Sequence, residues 1–501
     1  MTATLSTSQI PDQAPALYTG FDHLFIDGRW VIGRSKHKIT PTDPYRQTPI
    51  IEIAAANEQD IDQAYQSAQK AQVAWAKTLP SERSQIMRRA VEIMEARKAE
   101  MIAWSIREAG SPRAKATLEW QVARNVMEQA VSVPYAAEGR LLPADIPGKE
   151  SRVYRQPVGV VGVVSPWDFA LNLANRSIAP AIALGNAVVQ KPPSNTPISG
   201  GLILAKIFEE AGLPPGVFSV VAGPAREIGD IFVAHPIPRV ITFTGSTQAG
   251  RHIGKQIMDS PILKRMSLEL GGNSPLVVLD DADLEQAVNA AVFGKFLNEG
   301  QICMSVNRLI VDQQVHDEFV DRFIDRVSQL KVGDPNDPET VIGPIIDQAQ
   351  LNSLLDHIEA AKQAGACQRL GGEPDGLVLP PHVFTDVNNQ MSVAREELFG
   401  PIAPIIKVRD EAEALQVAND TEYGLSSAVF TQDEGRGLRF ALQMQAGMTH
   451  VNDQTVNDLP NAPFGGEKNS GIGRFGGAWA VAEFTTDHWI TLQHTPRQYP
   501  F

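Results

Sequence analysis

The feature that most constrains this chain is an alternation of short apolar runs with helix-like segments between residues 158 and 243. The apolar runs are rich in β-branched residues, and they are Val158–Val164, Ala187–Val189, Val217–Val221 and Val240–Phe243. The segments between them have helical character, near Ile178–Leu184, Ile198–Ala211 and Ala225–Ala234. Short buried strands that alternate with helices predict a parallel, doubly wound sheet. A sheet of this kind binds its ligands at the carboxyl ends of the strands.

A second α/β pattern follows the first. Pro275–Leu279 and Arg308–Val311 are strand candidates, and Asp283–Phe296 between them has a helical pattern. Strand character returns at Trp489–Gln493. A chain of 501 residues is too long for one simple core, so we expect two or three domains. Because no long low-complexity linker separates the patterns, we expect the domains to be interleaved along the chain.

The N-terminal part mixes both kinds of element. Leu24–Ile26 and Pro49–Ile53 are strand-like, and turn-forming residues separate them. Glu58–Tyr135 is typical of several amphipathic helices. Pro80 followed by a polar, acidic stretch predicts a helix start there, and Gly110 before Ser-Pro predicts a helix end.

Composition excludes several classes of protein. The formal net charge is −14, from 44 basic and 58 acidic residues, which argues against a nucleic-acid or anionic-membrane partner. No apolar run approaches the ~18 residues that a membrane span needs. The first twenty residues contain no Lys or Arg and no apolar core, so we expect a loose arm rather than a signal peptide. With two cysteines and no export signal, a reducing cytoplasm is the expected compartment.

Two residues are candidates for covalent chemistry. Cys303 follows a glycine-containing turn, and Glu269 precedes two glycines 34 residues upstream. A thiolate is a strong nucleophile, and a nearby carboxylate can activate water for a later step. The simpler interpretations are a small buried cysteine and a surface glutamate at a strand end. Cys367 has no comparable neighbours, so we expect it to be inert, and the sequence indicates neither a disulfide framework nor a metal site.

Seven stretches together resemble one family. In chain order they are Ser165–Phe169, Gln190–Ser194, Phe243–Thr247, Leu268–Gly272, Gly300–Cys303, Glu396–Pro401 and Pro463–Gly466. Their order and spacing resemble the NAD(P)-dependent aldehyde dehydrogenase superfamily, from about residue 22 to the end of the chain. Within that superfamily, the run Arg176–Ala181 and the tail Arg497–Phe501 are most similar to bacterial benzaldehyde and vanillin dehydrogenases.

The resemblance implies an α/β fold with three parts. A Rossmann-like cofactor-binding domain would take residues 1–136 and 159–268, and an α/β catalytic domain residues 269–485. A small β oligomerisation element would combine residues 137–158 and 486–501. An exposed edge strand such as Trp489–Gln493 needs a partner or a cover, which agrees with the homodimers and homotetramers common in the family.

The resemblance also implies a mechanism. Cys303 would add to the aldehyde carbon, hydride would pass to the nicotinamide, and water activated by Glu269 would hydrolyse the resulting thioester to the free acid. Relatives that transfer the acyl group to coenzyme A generally lack this base. Another glutamate that relatives often use for proton relay is replaced by Ala478, which places more weight on Glu269.

One catalytic position departs from the family pattern. Asp168 stands where relatives carry an asparagine that helps to hold the oxyanion, and an ionised carboxylate cannot donate a hydrogen bond. Asp168 could be held protonated, Asn172 could donate in its place, or the site could be slow. This departure supports the competing hypothesis of a non-catalytic or weakly active, cofactor-binding or structural member of the fold.

The family pattern also assigns cofactor-binding positions. These are Ser165, Pro166, Trp167, Lys191, Ser194, Phe243, Gly245, Ser246, Glu397 and Phe399. Each of them alone is equally explained as an ordinary surface, turn or core residue. NAD-preferring relatives often carry a glutamate at the position of Ser194, where it repels a 2′-phosphate. Its absence beside Lys191 predicts that NADP is accepted, alongside NAD.

Substrate preference depends on apolar residues that flank the motifs. These residues are Phe169, Phe296, Ile302, Met304 and Phe464. They indicate an apolar or aromatic aldehyde rather than a charged one. A generic packed core explains the same residues nearly as well.

Overall fold

The computed structural model describes residues 15–501. The predicted N-terminal arm falls largely on residues 1–14, outside the described residues. The strands are β1 (Leu24–Ile26), β2 (Arg29–Val31), β3 (Lys38–Ile39), β4 (Thr42–Asp43), β5 (Thr48–Pro49), β6 (Ile53–Ala54), β7 (Arg140–Leu142), β8 (Lys149–Pro157), β9 (Val160–Val164), β10 (Ala187–Lys191), β11 (Phe218–Val220), β12 (Val240–Thr244), β13 (Arg265–Glu269), β14 (Ser274–Val278), β15 (Val306–Asp312), β16 (Cys367–Leu370), β17 (His382–Val387), β18 (Ile402–Val408), β19 (Ala428–Phe430), β20 (His450–Val451), β21 (Gly471–Ile472) and β22 (Thr485–Gln493). The α-helices are α1 (Glu58–Trp75), α2 (Pro80–Ala96), α3 (Lys98–Ala109), α4 (Arg113–Ser132), α5 (Ala170–Ala183), α6 (Ile203–Glu210), α7 (Ala225–Ala234), α8 (Thr247–Met258), α9 (Leu284–Phe296), α10 (His316–Ser328), α11 (Gln348–Gln363), α12 (Ser392–Arg395), α13 (Glu411–Asn419), α14 (Glu434–Ala441) and α15 (Gly477–Glu483).

The first large sheet has the order β2-β1-β11-β10-β9-β12-β13-β21. Its five central strands, β11 to β13, pair in parallel, which confirms the predicted doubly wound sheet. Lys191 pairs with Val164, and Thr244 pairs with Glu269, so these strands end at the same edge. The polar residues that follow them are therefore brought together although they are far apart in the sequence.

The second large sheet has the order β16-β17-β18-β15-β14-β19-β20. It is parallel apart from β16, which pairs antiparallel with β17. Alternate residues of β14 lie in different cores: Leu276 and Val278 in one, Val277 in the other. Side chains of a strand point alternately to its two faces, so both faces of this sheet are buried, as expected for parallel strands.

A third, three-stranded sheet has the antiparallel order β22-β8-β7. It joins the chain near residue 150 with the C-terminal strand, since Thr485 pairs with Pro157 and Gln493 with Lys149. The two segments predicted to form the oligomerisation element therefore lie in one sheet. The domain boundaries themselves stay a prediction.

Several predicted element boundaries agree with the structure, and others do not. α2 begins at Pro80, and α3 ends before Gly110, whose φ of 68° is left-handed. The strand predicted over residues 49–53 is wrong, because β5 and β6 are two-residue strands in separate small sheets. α5 begins eight residues before the predicted Ile178, because Asn172, Asn175 and Arg176 interrupt the apolar pattern of its first half.

Within residues 15–501, no helix combines the length and the apolar character that crossing a bilayer requires.

Candidate active site

A cavity of about 260 Å³ lies at the carboxyl ends of β9, β12 and β13. Its walls come from the segments after these strands, from the loop that carries Cys303, from α11 and from the loop after α12. The lining residues are Pro166, Trp167, Asp168, Thr244, Gly245, Ser246, Glu269, Leu270, Gly271, Cys303, Gln350, Ser353, Glu397, Leu398 and Phe399. The structure thus brings Cys303 and Glu269 to one cavity.

An unusual backbone carries Cys303. Asn298, Glu299 and Gly300 are three consecutive left-handed residues, with φ of 52°, 56° and 74°. Non-glycine residues in this region store strain, which persists only when the surroundings fix it. Here the Asn298 amide donates to the carbonyl of Gln301 (3.0 Å), and the buried Glu299 carboxyl accepts from the Gly343 N–H (2.6 Å).

Two glycines let the end of β13 approach the cysteine loop. A Cβ on Gly272 would lie 2.1 Å from the carbonyl oxygen of Cys303. A Cβ on Gly271 would lie 2.4 Å from Glu397 Oε2. A side chain at Gly272 would push the Cys303 backbone away, so glycine is required there, and one at Gly271 would displace the Glu397 carboxyl.

Glu269 is paired with an arginine that the predicted site did not include. Arg176 Nη2, in α5, lies 2.7 Å from Glu269 Oε2, and the two residues are 4% and 0% exposed. The same nitrogen donates to Thr244 Oγ1, and Nη1 lies 4.0 Å from Asp458 Oδ2. A lone arginine inside an apolar helix was the available signal, because a buried cation needs a partner.

Arg176 is also flanked by aromatic rings, 4.4 Å from the ring centre of Phe464 and 4.5 Å from that of Phe475. Several polar atoms around it are buried without a hydrogen-bond partner in the described part of the chain: Arg176 Nε and Nη1, Glu269 Oε1 and Asn172 Oδ1. Unpaired buried polar atoms are rare in folded proteins and often mark a site that a ligand or water completes.

The electrostatics of the cavity oppose an isolated thiolate. Burial raises the pKa of the Cys303 thiol, the charges of Glu269 and Asp168 raise it further, and Arg176 lowers it. Burial, followed by the charge of Glu269, raises the pKa of Asp168 to about 7, against smaller lowering effects from Lys115 and two backbone N–H groups. Burial raises the pKa of Glu397 to about 8, although the Gly272 N–H lowers it.

The two alternatives for the oxyanion donor are placed differently. Asp168 lines the cavity and is 3% exposed. Asn172 does not line it, and its amide nitrogen already donates to Asp458 Oδ2 at 3.0 Å. The geometry therefore favours Asp168 over Asn172 as the group that can meet a substrate oxygen.

The predicted cofactor residues fall into two groups. Those that line the cavity are Pro166, Trp167, Gly245, Ser246, Glu397 and Phe399. Ser246 caps α8 by accepting from the Ala249 N–H at 3.3 Å, and the ring of Trp167 stands edge-on to that of Phe399. Gln350, which the sequence did not indicate, donates to the carbonyl of Phe399 at 3.0 Å.

Ser165, Lys191, Ser194 and Phe243 do not line the cavity. Lys191 is 3% exposed, its Nζ donates to the carbonyl of Pro192 at 3.2 Å, and burial lowers its pKa to about 8. Ser194 Oγ donates to the carbonyl of Gly223 just before α7 (3.1 Å). Lys191 is the last residue of β10 and Ser194 follows that strand, which lies next to β9, the strand that leads to the cavity.

An apolar cluster encloses Cys303. Its buried members are Phe169, Leu173, Ile302, Cys303, Met304, Leu425, Phe464 and Phe475. Four of the five residues predicted for substrate contact are among them. Phe296 is not: it packs in a core of the second sheet, stacked 6.1 Å from Phe323. That face of α9 points to the sheet, and Leu297 packs on the Cys303 cluster instead.

Comparison with known proteins agrees with this arrangement. Residues 30–490 match the model of the "aldehyde dehydrogenase family". The chain is 50% identical to a vanillin dehydrogenase of Corynebacterium glutamicum, over 96% of this chain and 100% of the relative. It is 45% identical to a benzaldehyde dehydrogenase of Bacillus subtilis, over 97% and 99% of the two chains.

A solved structure shows the same fold. The crystal structure of an NAD-dependent benzaldehyde dehydrogenase from Corynebacterium glutamicum superposes with a TM-score of 0.89 and 46% identity. The match covers 96% of this chain and 98% of the other. The resemblance of the seven motifs is confirmed, and the chain belongs to the aldehyde dehydrogenase family.

Proposed function

We propose that this protein oxidises an apolar or aromatic aldehyde to the carboxylic acid with NAD(P)⁺. The observation that carries the proposal is the cavity that Cys303, Glu269 and six of the ten predicted cofactor residues line together. A packed, purely structural core would not leave such a space beside a thiol and a buried carboxylate with an unpaired oxygen, Glu269 Oε1.

The chemistry follows from the residues around the sulfur. Cys303 Sγ attacks the aldehyde carbon as its proton leaves to water in the cavity that it shares with Glu269, so that Glu269 stays available as a base. NAD(P)⁺ supplies the hydride acceptor when bound. Glu269 then takes a proton from water as the water attacks the thioester, the C–S bond breaks, and the acid leaves.

The substrate class follows from the walls around Cys303. Three phenylalanines and Met304 surround the thiol, so an apolar or aromatic group is favoured over a hydrated cation. The vanillin and benzaldehyde dehydrogenases to which the chain is similar act on aromatic aldehydes by name. We therefore expect benzaldehyde-like compounds to have a higher kcat/KM than betaine aldehyde.

The cofactor groups fit a dinucleotide. Ser246 precedes α8 as its N-cap, and the backbone N–H groups at a helix start suit phosphates. Within residues 15–501 the buried Lys191 ammonium has one acceptor, the carbonyl of Pro192, and so retains donors for ribose or phosphate oxygens. No carboxylate stands at Ser194, so both NAD and NADP are accommodated.

The small sheet supports assembly of a homodimer or homotetramer. β22 is an edge strand, and Trp489 on it is 66% exposed, while Leu141 on β7 is 75% exposed. Trp489→Glu should lower the molar mass in analytical ultracentrifugation, and an unchanged mass would contradict this assembly surface. Both cysteines are free thiols, which supports a reducing compartment such as the cytoplasm.

The test follows the absorbance of the reduced cofactor across a panel of benzaldehyde, a long alkanal and betaine aldehyde, with NAD and NADP. The exposed Cys367 offers a matched control. Cys367→Ala should retain turnover and lose it on thiol alkylation, whereas Cys303→Ala should have no turnover. Turnover that persists in Cys303→Ala would contradict the proposed function.

A further inference from the structure

Two carboxyl groups share the cavity with the thiol, and both are shielded from water. Asp168 is 3% exposed and Glu269 is 0% exposed. Each raises the pKa of the Cys303 thiol, and the charge of Glu269 acts on Asp168. Ionising Asp168 beside the charge of Glu269 is costly, which favours the protonated form of Asp168.

The cations around this pair are distributed unequally. Arg176 pairs with Glu269 at 2.7 Å. Among the described residues, the carboxyl of Asp168 has no ion pair, since Lys115 Nζ donates to the main-chain carbonyl of Asp168 and pairs with Glu119. An ionised Glu269 is therefore stabilised by a direct ion pair, whereas an ionised Asp168 has only the smaller effects of Lys115 and two backbone N–H groups.

We propose that Arg176 divides one proton between the two carboxyls, keeping Glu269 ionised as the base and leaving Asp168 protonated as a hydrogen-bond donor to the substrate oxygen. Asp168 is thereby a catalytic residue, and Arg176 is a positioning residue. This inference rests on the proposed function and explains how the chain works without the asparagine usual in its family.

The bonding changes are consistent with this assignment. As Cys303 Sγ bonds to the carbonyl carbon, the π electron pair moves to the oxygen, which accepts a hydrogen bond from the Asp168 O–H. The bond lasts while the oxygen carries charge and weakens when the C=O reforms on hydride departure. The same donor serves again when water adds to the thioester. Removing one such donor costs about 10²–10³ in rate in other enzymes.

The charged groups that face the pair are few. Asp168 is faced by Glu269 from β13, Cys303 from its loop and Lys115 from α4. Arg176 from α5 faces Glu269 and also approaches Asp458. The charges of Glu269 and Asp168 add to the effect of burial in raising the pKa of Glu397. Arg176 is the only one of these cations that contacts either carboxyl directly in the described structure.

The first test compares Asp168→Asn with the wild type across pH. An amide donates at every pH, whereas Asp168, with a pKa of about 7, loses its donor proton as the pH rises. The ratio of kcat, variant over wild type, should be near one at pH 6 and about ten- to hundredfold at pH 9. A ratio that is constant with pH would overturn the proposal.

The second test is spectroscopic and needs no turnover. Infrared spectra of the wild type minus those of Asp168→Asn should show a protonated-carboxyl band at pH 6 that is lost at pH 9, and the subtraction removes the band of Glu397, whose pKa is about 8. Arg176→Met should weaken the part of the band that depends on Asp168, and Arg176→Lys should restore much of it. Arg97→Lys, at a buried ion pair remote from the cavity, controls for general loosening and should leave the band unchanged.

The two tests separate the failures. If the wild type reduces no cofactor with any aldehyde, the proposed function fails, whatever the infrared band does. If turnover is normal but the band does not depend on Asp168, the function stands and the division of the proton by Arg176 is wrong.

Discussion

Two buried ion pairs, Lys115–Glu119 and Arg176–Glu269, differ in how many of their polar atoms form hydrogen bonds. Lys115 and Glu119, both in α4, lie 2.7 Å apart. Lys115 also donates to Ser111 and to the carbonyl of Asp168, and Glu119 accepts from the Leu171 N–H. In the Arg176–Glu269 pair, by contrast, three buried atoms have no hydrogen-bond partner among the described residues: Arg176 Nε and Nη1 and Glu269 Oε1.

This difference indicates that the Lys115 pair stabilises the fold and that the Arg176 pair serves the reaction. A fully paired buried network rigidifies its surroundings, and losing one member exposes the others to an unmet desolvation cost. An incompletely paired network is less stable but retains donors and acceptors for a substrate or water. We therefore expect changes at the Lys115 pair to affect folding and changes at the Arg176 pair to affect turnover.

The largest expected effect is on turnover. Glu269→Gln removes the base, so steady-state kcat should fall by about 10²–10⁴ while a pre-steady-state burst of reduced cofactor remains. Arg176 keeps Asp458 and two aromatic rings as neighbours, so we expect a stability loss below about 2 kcal/mol. Stopped-flow absorbance and urea unfolding measure the two quantities.

Glu119→Gln is the matched control for that variant. It should reduce stability without changing the ratio of burst rate to steady-state rate. If Glu119→Gln, rather than Glu269→Gln, gave a burst followed by slow steady-state turnover, the proposed difference between the two ion pairs would be wrong.

The next effect is on folding. Lys115→Met leaves Glu119 buried without its cation, which should lower the free energy of unfolding by about 3–5 kcal/mol. Urea unfolding followed by tryptophan fluorescence measures the loss. The double variant Lys115→Met/Glu119→Met should recover most of it, and a double variant as unstable as the single one would show that the pair is not the cause.

Lys295 is a third buried cation, and it differs from Lys115 and Arg176 in having no carboxylate partner within residues 15–501. Lys295 in α9 is fully buried, its Nζ has no hydrogen-bond partner in the described chain, and burial lowers its pKa to about 7. The folded pKa lies below that of the unfolded chain, so the native state is penalised most below pH 7, and the penalty fades as the pH approaches 10. Lys295→Met should therefore stabilise the protein by about 2 kcal/mol at pH 6.5 and hardly at all near pH 10.

Thermal unfolding of the two proteins at both pH values checks this prediction. A gain in stability that is the same at pH 6.5 and near pH 10 would mean that Lys295 is not held neutral by burial.

The smallest expected effect concerns the buried Lys191. Ser194→Glu introduces a carboxylate that repels a 2′-phosphate and competes for this ammonium. The kcat/KM for NADP relative to that for NAD should fall by about ten- to hundredfold. Ser194→Gln, without the charge, is the control, and an equal fall in both variants would make the effect steric.

Local patterns predicted much of the fold. α7 has the predicted bounds, Ala225–Ala234, and the four apolar runs became β9 to β12 because short β-branched stretches between turns fit few structures other than buried strands. The prediction failed where the chain carries polar residues for tertiary reasons. The first half of α5 contains Asn172 and Arg176, whose partners come from distant segments, so its apolar periodicity is broken.

The sequence alone determined the family, the candidate nucleophile Cys303 and the candidate base Glu269, because these depend on residue type and motif order. Tertiary structure alone decided which charges meet. Arg176 and Glu269 are 93 residues apart, and Lys115 and Asp168 are 53 apart, so no local pattern links them. The state of a buried carboxyl depends on which cation reaches it through space, and only packing fixes that distance.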